Sequence, residues 1–436
     1  MSAMPEARTG LCLGAAACAV ISAVGCRPLF GLEDEGPEPG ALCPEVRANS
    51  GEVFPPKWWV TSAAECTRAP SASDGPQIPN VPTLDPPLYF AIYDLEIGEG
   101  ETWKDIGFDL DGSCLNDGAD GKSCNKAGEG ALDGEGCVDN SIGKLISAAS
   151  NIVVELTEAN INCELLFGGY NVIIKVSDYN YEANDPQVRV DVYASMGWTE
   201  RTIACPPRLP IEELITKLPD YPPKGWYVMH ESKAAEGSDC YREAETADPL
   251  ALPGSKVCTK TAYVRGGYLV ANIEQAEFWL NGQRTDFPGF RTPLNRGTFV
   301  GWIRKPVELR RWRLDATLGG VTTVAGMLEG FETLGVCEDT CPDPEPGFLG
   351  GYNATANSLT NHLDMIATEG DTTDCDALSV GWQFAAGEIA GPFFPVPDSL
   401  PRSWELSELC GDSPSPVAVC ATAASRSALT QAVTPQ

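Results

Sequence analysis

The chain has 436 residues, of which 30 are basic and 61 acidic, so its formal net charge is −31. Such a charge repels the phosphate backbone and excludes nucleic-acid binding through a general electrostatic field. Only two histidines are present, which excludes a three-histidine zinc site. A hydrophobic content of 43% is enough to form a folded core.

The N-terminal segment is typical of an export signal. Residues 11–24 form a run of 14 apolar or small residues after Arg8, whereas a membrane-spanning helix needs about 20. The run ends at Gly25-Cys26, which resembles a bacterial lipobox, whose cysteine is lipidated and becomes the first residue of the mature chain. We therefore predict a lipid anchor on Cys26 and an extracytoplasmic location at the outer membrane or cell surface. An ordinary cleaved signal peptide is the alternative.

The number of cysteines agrees with export. Of the 17 cysteines, two lie in the predicted signal peptide and one is the predicted lipidation site, so an even number remains. An even number in an exported chain predicts disulfide bonds, whose connectivity the sequence leaves open. Short loops favour three local pairs, Cys43–Cys66, Cys240–Cys258 and Cys410–Cys420. Disulfides among Cys114, Cys124 and Cys137 are expected to fix the acidic loop.

Proline and small polar residues dominate two stretches, 27–56 and 67–87. This composition is typical of an extended linker that holds a folded body away from a membrane. The last residues are rich in Ser, Ala and Pro, which predicts a flexible tail. The predicted parts are a signal peptide over 1–25, a lipid-anchored tether over 26–87, a strand, acidic loop and helix over 88–168, a β-rich body over 169–410 and the tail over 411–436.

The first half of the folded part shows both strand and helix patterns. Residues 88–98 form an apolar run typical of a buried strand. Residues 141–161 carry apolar side chains at helical spacing, which predicts one amphipathic helix. Apolar and polar residues then alternate over 170–176 and 188–193, and the segment between them has turn composition, so these two runs predict a strand pair.

Paired glycines separate apolar runs in the second half. The run over 261–272 encloses Gly266-Gly267, as a type I′ hairpin requires, and the run over 311–328 repeats the pattern at Gly319-Gly320. Residues 353–367 predict another helix. Closely spaced strands with turn signals favour a mainly β fold, an antiparallel β-sandwich or jelly-roll-like body with an acidic disulfide-bearing loop and one or two packed helices.

An acidic, glycine-rich segment over 109–140 is the candidate metal site. Calcium takes six to eight oxygen ligands, and Asp-x-Asp-Gly steps supply carboxylates on alternate residues with a glycine for the turn. The spacing differs from an EF-hand, because Cys114 stands where that loop needs glycine and the last ligand is Asp rather than Glu. We therefore predict a looser Ca²⁺ site, and the alternative is a solvated acidic loop stapled by disulfides. The candidate ligands are Asp109, Asp111, Asp117, Asp120, Asp133, Asp139 and Asn140.

The same region carries a family resemblance. The segments IGFDLDG over 106–112, DGEGCVDNSIGKLI over 133–146 and CDALS over 375–379 resemble segments of uncharacterised lipoproteins from soil bacteria with large genomes. The resemblance covers residues 88–390. It implies an exported lipoprotein in which an acidic loop leads into a helix and a β-rich region, and it implies no activity.

Basic and aromatic residues are the remaining functional signals. Seven basic residues between positions 291 and 313 form a basic island, which indicates a neutralised solvent face or, as the alternative, docking of an anionic glycan or lipid headgroup. Most of the ten tryptophans suit a core, although one or two exposed rings would stack on sugars. His230 and His362 are expected to be structural, and GxSxG, HExxH and P-loop motifs are absent.

Together these patterns favour a non-enzymatic interaction or structural protein of the cell envelope, with Ca²⁺ as a stabilising ion. Its expected partners are a membrane, through the lipid anchor, and a glycan or protein ligand, but no nucleic acid. The alternative is a carbohydrate-binding or polysaccharide-acting protein, a hydrolase or lyase. An enzyme of that kind predicts a groove with paired carboxylates, whereas a binding module predicts a shallow face with exposed aromatic rings.

Overall fold

The computed structural model describes the folded part of the chain. The described residues are 68–80, 85–113, 124, 133–134, 137–149, 157–166, 168–199, 225–229, 232–243, 252–280, 290–306, 311–332, 352–367 and 374–396, with three short strands before them. Those three strands, β1 (Leu32–Glu33), β2 (Val46–Ala48) and β3 (Val53–Phe54), form a small antiparallel sheet of their own.

A single ten-stranded sheet forms the body of the protein. Its strands are long, and all neighbours except one short pair run antiparallel. The strands are β4 (Leu88–Glu96), β5 (Asn171–Ser177), β6 (Asn184–Trp198), β7 (Trp226–Val228), β8 (Val257–Arg265), β9 (Tyr268–Leu280), β10 (Phe290–Arg304), β11 (Arg313–Thr323), β12 (Ala377–Ile389) and β13 (Phe393–Pro395).

Eight of these strands close into an antiparallel barrel. The strands β4, β5, β6, β8, β9, β10, β11 and β12 pair in chain order, and β12 pairs back onto β4 with Ile389 opposite Tyr89. The predicted β-sandwich or jelly-roll-like body is therefore wrong. Twisted strands of this length curl into a closed sheet, which pairs the backbone groups that two free edges would leave open. The short strands β7 and β13 extend the sheet beside β6.

The interior of the barrel is a packed core. On β11, Leu314, Ala316 and Leu318 belong to this core, as the alternation of the sequence predicts, while Asp315 faces outward. A cavity of about 20 Å³ among apolar side chains remains inside, which is room for one water-sized body. An eight-stranded barrel is just wide enough for side chains to fill, so this interior is a core rather than a ligand chamber.

The two glycine pairs have different roles. Gly266-Gly267 forms the predicted turn between β8 and β9, with φ values of 61° and 83° that favour glycine. Gly319-Gly320 lies inside β11, so the second predicted hairpin turn is wrong. A Cβ atom would come within 2.5 Å of the Phe108 ring at Gly319 and within 2.7 Å of Leu294 at Gly320. These glycines therefore allow close packing rather than a turn.

Four α-helices of the described residues lie at one end of the barrel, which we call the helical end. They occupy the connections between β4 and β5 and between β11 and β12, and their apolar side chains continue the barrel core. The single helix predicted over 141–161 is divided, because α1 stops at Ala149 and α2 begins at Glu158. No helix in the described ranges is both long and apolar enough to cross a bilayer. The helices are α1 (Ser141–Ala149), α2 (Glu158–Leu166), α3 (Val324–Glu332) and α4 (Tyr352–Thr360).

Aromatic side chains close the opposite end, which we call the aromatic end. Tyr179 and Tyr181 lie in the connection between β5 and β6, and Trp312 lies just before β11. All three rings pack against the barrel core. The two ends of the barrel are thus covered by different means, helices at one and a small aromatic cluster at the other.

Two disulfides have both of their cysteines among the described residues, and the described Cys137 and Cys163 are disulfide-bonded as well. Cys240–Cys258 joins a short loop to β8, as the sequence spacing predicts. Cys124 of the acidic segment pairs with Cys375 at a sequence separation of 251, rather than within the acidic loop as expected. This bridge ties the acidic segment to the start of β12. The disulfide candidates Cys43, Cys66, Cys114, Cys410 and Cys420 lie outside the described residues, as does the predicted lipidation site Cys26.

Candidate metal centre

Two distant segments of the acidic region meet on the outside of the barrel. Phe108 and Asp139 form an antiparallel bridge, in which the Asp139 amide donates to the Phe108 carbonyl at 3.0 Å. The Phe108 ring packs beside Tyr263 on the barrel wall. This bridge places Asp139 next to the turn that follows Phe108, although 29 residues separate Asp139 from Leu110.

Three carboxylates converge at this bridge. Asp109, Asp111 and Asp139 each offer an oxygen, and the three oxygens lie within 4.8 Å of one another. Asp109 is 3% exposed and Asp139 is fully buried, while Asp111 is half-buried. Three of the seven predicted ligands are therefore brought together, and the group can hold a metal ion.

Backbone amides hold these carboxylates in place. Asp139 accepts from the Leu110 amide at 2.7 Å, Asp109 from the Gly112 amide at 2.7 Å, and Asp111 from the Ser113 amide at 2.8 Å. Gly112 has φ 75°, which favours glycine and allows the chain to turn back onto the carboxylates. The Asp-x-Asp-Gly spacing seen in the sequence thus produces a tight turn around the acids.

The electrostatics of Asp109 show the cost of gathering these groups. The pKa of Asp109 is raised to about 7, chiefly by burial and then by the neighbouring charges of Asp111 and Asp133, while hydrogen bonds from the Gly112 and Ser113 amides act in the opposite direction. Among the described residues, no cationic side chain makes an ion pair with Asp109. A bound cation would remove the repulsion and favour the ionised carboxylate.

The donor set identifies the class of ion that fits. All three side chains offer oxygen atoms, and no thiol or imidazole belongs to the group. Oxygen-only sites suit hard cations such as Ca²⁺ and Mg²⁺, whereas sulfur and nitrogen ligands favour zinc and copper. The residues present therefore fit the predicted kind of ion.

The other candidate ligands have different positions. Asp133 is half-buried and close enough for its charge to act on Asp109. The Asn140 amide is buried, and its oxygen accepts from the backbone amides of Gly143 and Gly381, both at 2.9 Å. Asn140 thus caps α1 and joins it to β12. Asp117 and Asp120 lie outside the described residues.

A second buried network holds the acidic segment against β12, and sequence reasoning missed it. The Asp364 carboxylate accepts from the Ser141 hydroxyl at 3.0 Å and from the Ser379 amide at 2.7 Å. Ser141 begins α1, directly after Asn140. A single aspartate and two serines spread over 238 residues carry no sequence signal, so only the folded chain shows that they belong together.

His362 and two arginines of the basic island bind neighbouring groups within the fold. His362 is buried, and its Nδ1 lies 2.7 Å from the Ser358 carbonyl oxygen. In the basic island, Arg304 and Arg313 both bind the buried Asp315 carboxylate, at 2.8 and 2.6 Å. The Asp315 carboxylate therefore offsets part of the positive charge of that island. His230 lies outside the described residues.

Comparison with family models, curated proteins and solved structures finds no match for this chain. The chemistry of the acidic cluster and of the barrel surface is therefore the basis for assigning a function.

Proposed function

We propose that this chain is an exported, non-enzymatic interaction or structural protein of the cell envelope, anchored by lipid at Cys26 and stabilised by Ca²⁺ at its acidic loop. The observation that carries the proposal is the buried carboxylate cluster of Asp109, Asp111 and Asp139. The disulfides Cys124–Cys375 and Cys240–Cys258 support a location outside the reducing cytosol.

Calcium suits this cluster better than magnesium. Mg²⁺ requires near-ideal octahedral geometry and retains several waters, whereas Ca²⁺ accepts six to eight oxygens in an adaptable arrangement. Two carboxylates on the turn after Phe108, a third from Asp139 and the Ser113 backbone hydrogen-bonded to Asp111 match the adaptable arrangement. The burial of Asp109 and Asp139 holds the ion away from bulk solvent, as expected for a structural ion.

The packed barrel supports a non-enzymatic role. The barrel interior is filled by apolar side chains, and the buried His362 lies within hydrogen-bond distance of the Ser358 carbonyl in the preceding helix. An ion at the acidic cluster would fasten the 106–112 segment to the barrel wall through Phe108. Calcium would therefore act by stabilising the outer surface of the barrel.

The first test is thermal unfolding of the purified chain in EGTA, in 10 mM Mg²⁺ and in 10 mM Ca²⁺. For a dissociation constant near 10⁻⁴ M, typical of extracellular sites, we expect Ca²⁺ to raise the melting temperature by roughly 3–6 °C. Mg²⁺ should give a much smaller rise. Asp111→Asn should abolish most of the response to Ca²⁺, because it removes one ligand charge.

Glu101→Gln is the matched control, since Glu101 is an exposed acid whose ion pair is with Lys104. This variant should respond to Ca²⁺ like the wild-type chain. An equal response to Ca²⁺ in wild type and Asp111→Asn, or no response in either, contradicts the calcium site.

The anchor is tested separately by mass spectrometry of the chain isolated from a bacterial host. We expect a mature N-terminus at Cys26 carrying acyl chains, and recovery in the membrane fraction. Cys26→Ser should remove the acyl mass and release the chain from that fraction. Recovery of an unprocessed N-terminus in the cytosol would refute export.

A further inference from the structure

The aromatic end of the barrel presents partly exposed rings. Trp312 and Tyr181 are both half-buried, with ring centroids 5.5 Å apart and planes inclined by 33°. The buried ring of Tyr179 supports them from below, edge-on to Tyr181 at 5.5 Å and to Trp312 at 6.2 Å. The pair therefore forms a supported aromatic platform, which we call the Trp312–Tyr181 platform.

The ring of Tyr181 is held by its turn. Tyr181 has φ 62°, a conformation that is rare for a bulky side chain and persists only where the surroundings enforce it. The Asp185 carboxylate accepts from the Asn180 amide at 2.9 Å, and the Asn180 side chain accepts from the Glu182 amide at 2.9 Å. The Tyr181 hydroxyl also donates to the Pro86 carbonyl. The ring is thus fixed before any ligand arrives, which reduces the entropy lost on binding.

The rim of the platform carries both signs of charge. The exposed Lys305 ammonium lies 5.8 Å from the Trp312 ring centroid. The negative charge comes from the Glu388 carboxylate, which accepts a hydrogen bond from the Trp312 backbone amide at 2.7 Å. Asp85 and Glu388 lie near the Tyr181 hydroxyl, whose pKa is raised first by burial and then by these two acids. Hydrogen-bond donors and acceptors therefore surround an apolar surface with little net charge.

From this arrangement we infer that the Trp312–Tyr181 platform binds an uncharged polysaccharide built of pyranose sugars. The C–H face of a pyranose ring is apolar and stacks on an aromatic ring, while its hydroxyls donate to carboxylates and accept from an ammonium group. An anionic polymer is disfavoured because the chain carries a net charge of −31. The inference rests on the non-enzymatic function proposed above and names the class of its partner.

A second aromatic pair near the same end serves as a control. The Trp302 ring is already covered, because Tyr268 stacks with it at 6.2 Å and the Arg304 guanidinium lies 4.2 Å from its centroid. Arg304 is held there by its ion pair with Asp315. Trp302 is half-buried like Trp312, but contacts with Tyr268 and Arg304 leave less of its ring face for a sugar.

The test is affinity electrophoresis of the purified full chain in gels that contain hydroxyethylcellulose, galactomannan or dextran. We expect retardation by at least one of these polymers. Trp312→Ala should weaken binding roughly tenfold or more, as for a central aromatic contact. Tyr181→Leu keeps an apolar side chain and should also weaken binding, and Lys305→Ala should weaken it less. Trp302→Ala should bind like the wild-type chain.

Circular dichroism shows which variants are folded. If Trp312→Ala does not fold, Tyr181→Leu still tests the inference. No retardation of the folded wild-type chain, or unchanged binding in Tyr181→Leu, overturns the inference. Retardation only in polygalacturonate, or binding only to phosphatidylglycerol vesicles, overturns it in favour of an anionic ligand. Release of reducing sugar from a bound polymer would instead overturn the non-enzymatic function. None of these outcomes affects the shift in melting temperature expected with Ca²⁺.

Discussion

Two buried aspartates on the outer surface of the barrel show opposite solutions to the same problem. Asp191 on β6 is fully buried, and Arg189 binds it through two hydrogen bonds of 2.7 Å while the Ser255 amide donates a third at 2.9 Å. Asp109 is almost as deeply buried, but its charged neighbours are other acids. The chain supplies the counter-charge at the first site, whereas at the second site no cationic side chain of the described residues makes an ion pair with Asp109.

The comparison separates a structural ion pair from a candidate ligand site. A carboxylate that is buried with an arginine is satisfied within the protein. A carboxylate that is buried among like charges has its pKa raised and is suited to bind a cation. Burial alone does not distinguish a structural ion pair from a candidate ligand site. The sign of the neighbouring charges distinguishes them.

The largest loss of stability is expected when the buried ion pair between Arg189 and Asp191 is broken. Asp191→Ala leaves the Arg189 guanidinium buried with no carboxylate beside it, so the free energy of unfolding should fall by about 3–5 kcal/mol. Urea unfolding measures this loss. Arg242→Ala is the control, because the Arg242–Asp178 ion pair is exposed and should be worth less than about 1 kcal/mol. Equal losses in both variants would contradict the distinction between buried and exposed pairs.

At the acidic cluster, stability should depend on pH and on Ca²⁺. The pKa of Asp109 is raised to about 7 in the folded chain, above its unfolded value of roughly 3.9, so folding favours the protonated form. In EGTA, the contribution of Asp109 to stability should therefore be greatest below about pH 4 and should fall by on the order of 2–3 kcal/mol as the pH rises through 7. Saturating Ca²⁺ should remove this fall.

Asp109→Asn sharpens the same comparison, because asparagine keeps the oxygen that accepts from Gly112 and carries no charge. In EGTA at pH 7.5 this variant should be more stable than the wild-type chain, and in Ca²⁺ it should lose the advantage. Urea unfolding in the two buffers measures both differences. A variant that is less stable than wild type in EGTA would show that Asp109 is not strained by its neighbours.

Much of the candidate site was accessible from the sequence. The Asp-x-Asp-Gly step predicts that Asp109 and Asp111 lie on one turn, and the acidic composition extends the candidate set to Asp139. The sequence does not show that Asp139 belongs to the cluster while Asn140, its neighbour, caps a helix. That difference depends on the bridge between Phe108 and Asp139, which is a contact between distant segments.

For the fold as well, some features follow from local sequence and others from contacts between distant segments. Alternating strands, the Gly266-Gly267 turn and the short Cys240–Cys258 loop depend on neighbouring residues, so the sequence by itself determined them. Closure of the sheet through β4 and β12, the packing role of Gly319-Gly320 and the Cys124–Cys375 bridge were decided only by the tertiary structure. The physical reason is that a sandwich and a barrel share the same alternation of inward and outward side chains. Only the pairing of the first and last strands, which lie about 290 residues apart in the chain, distinguishes them.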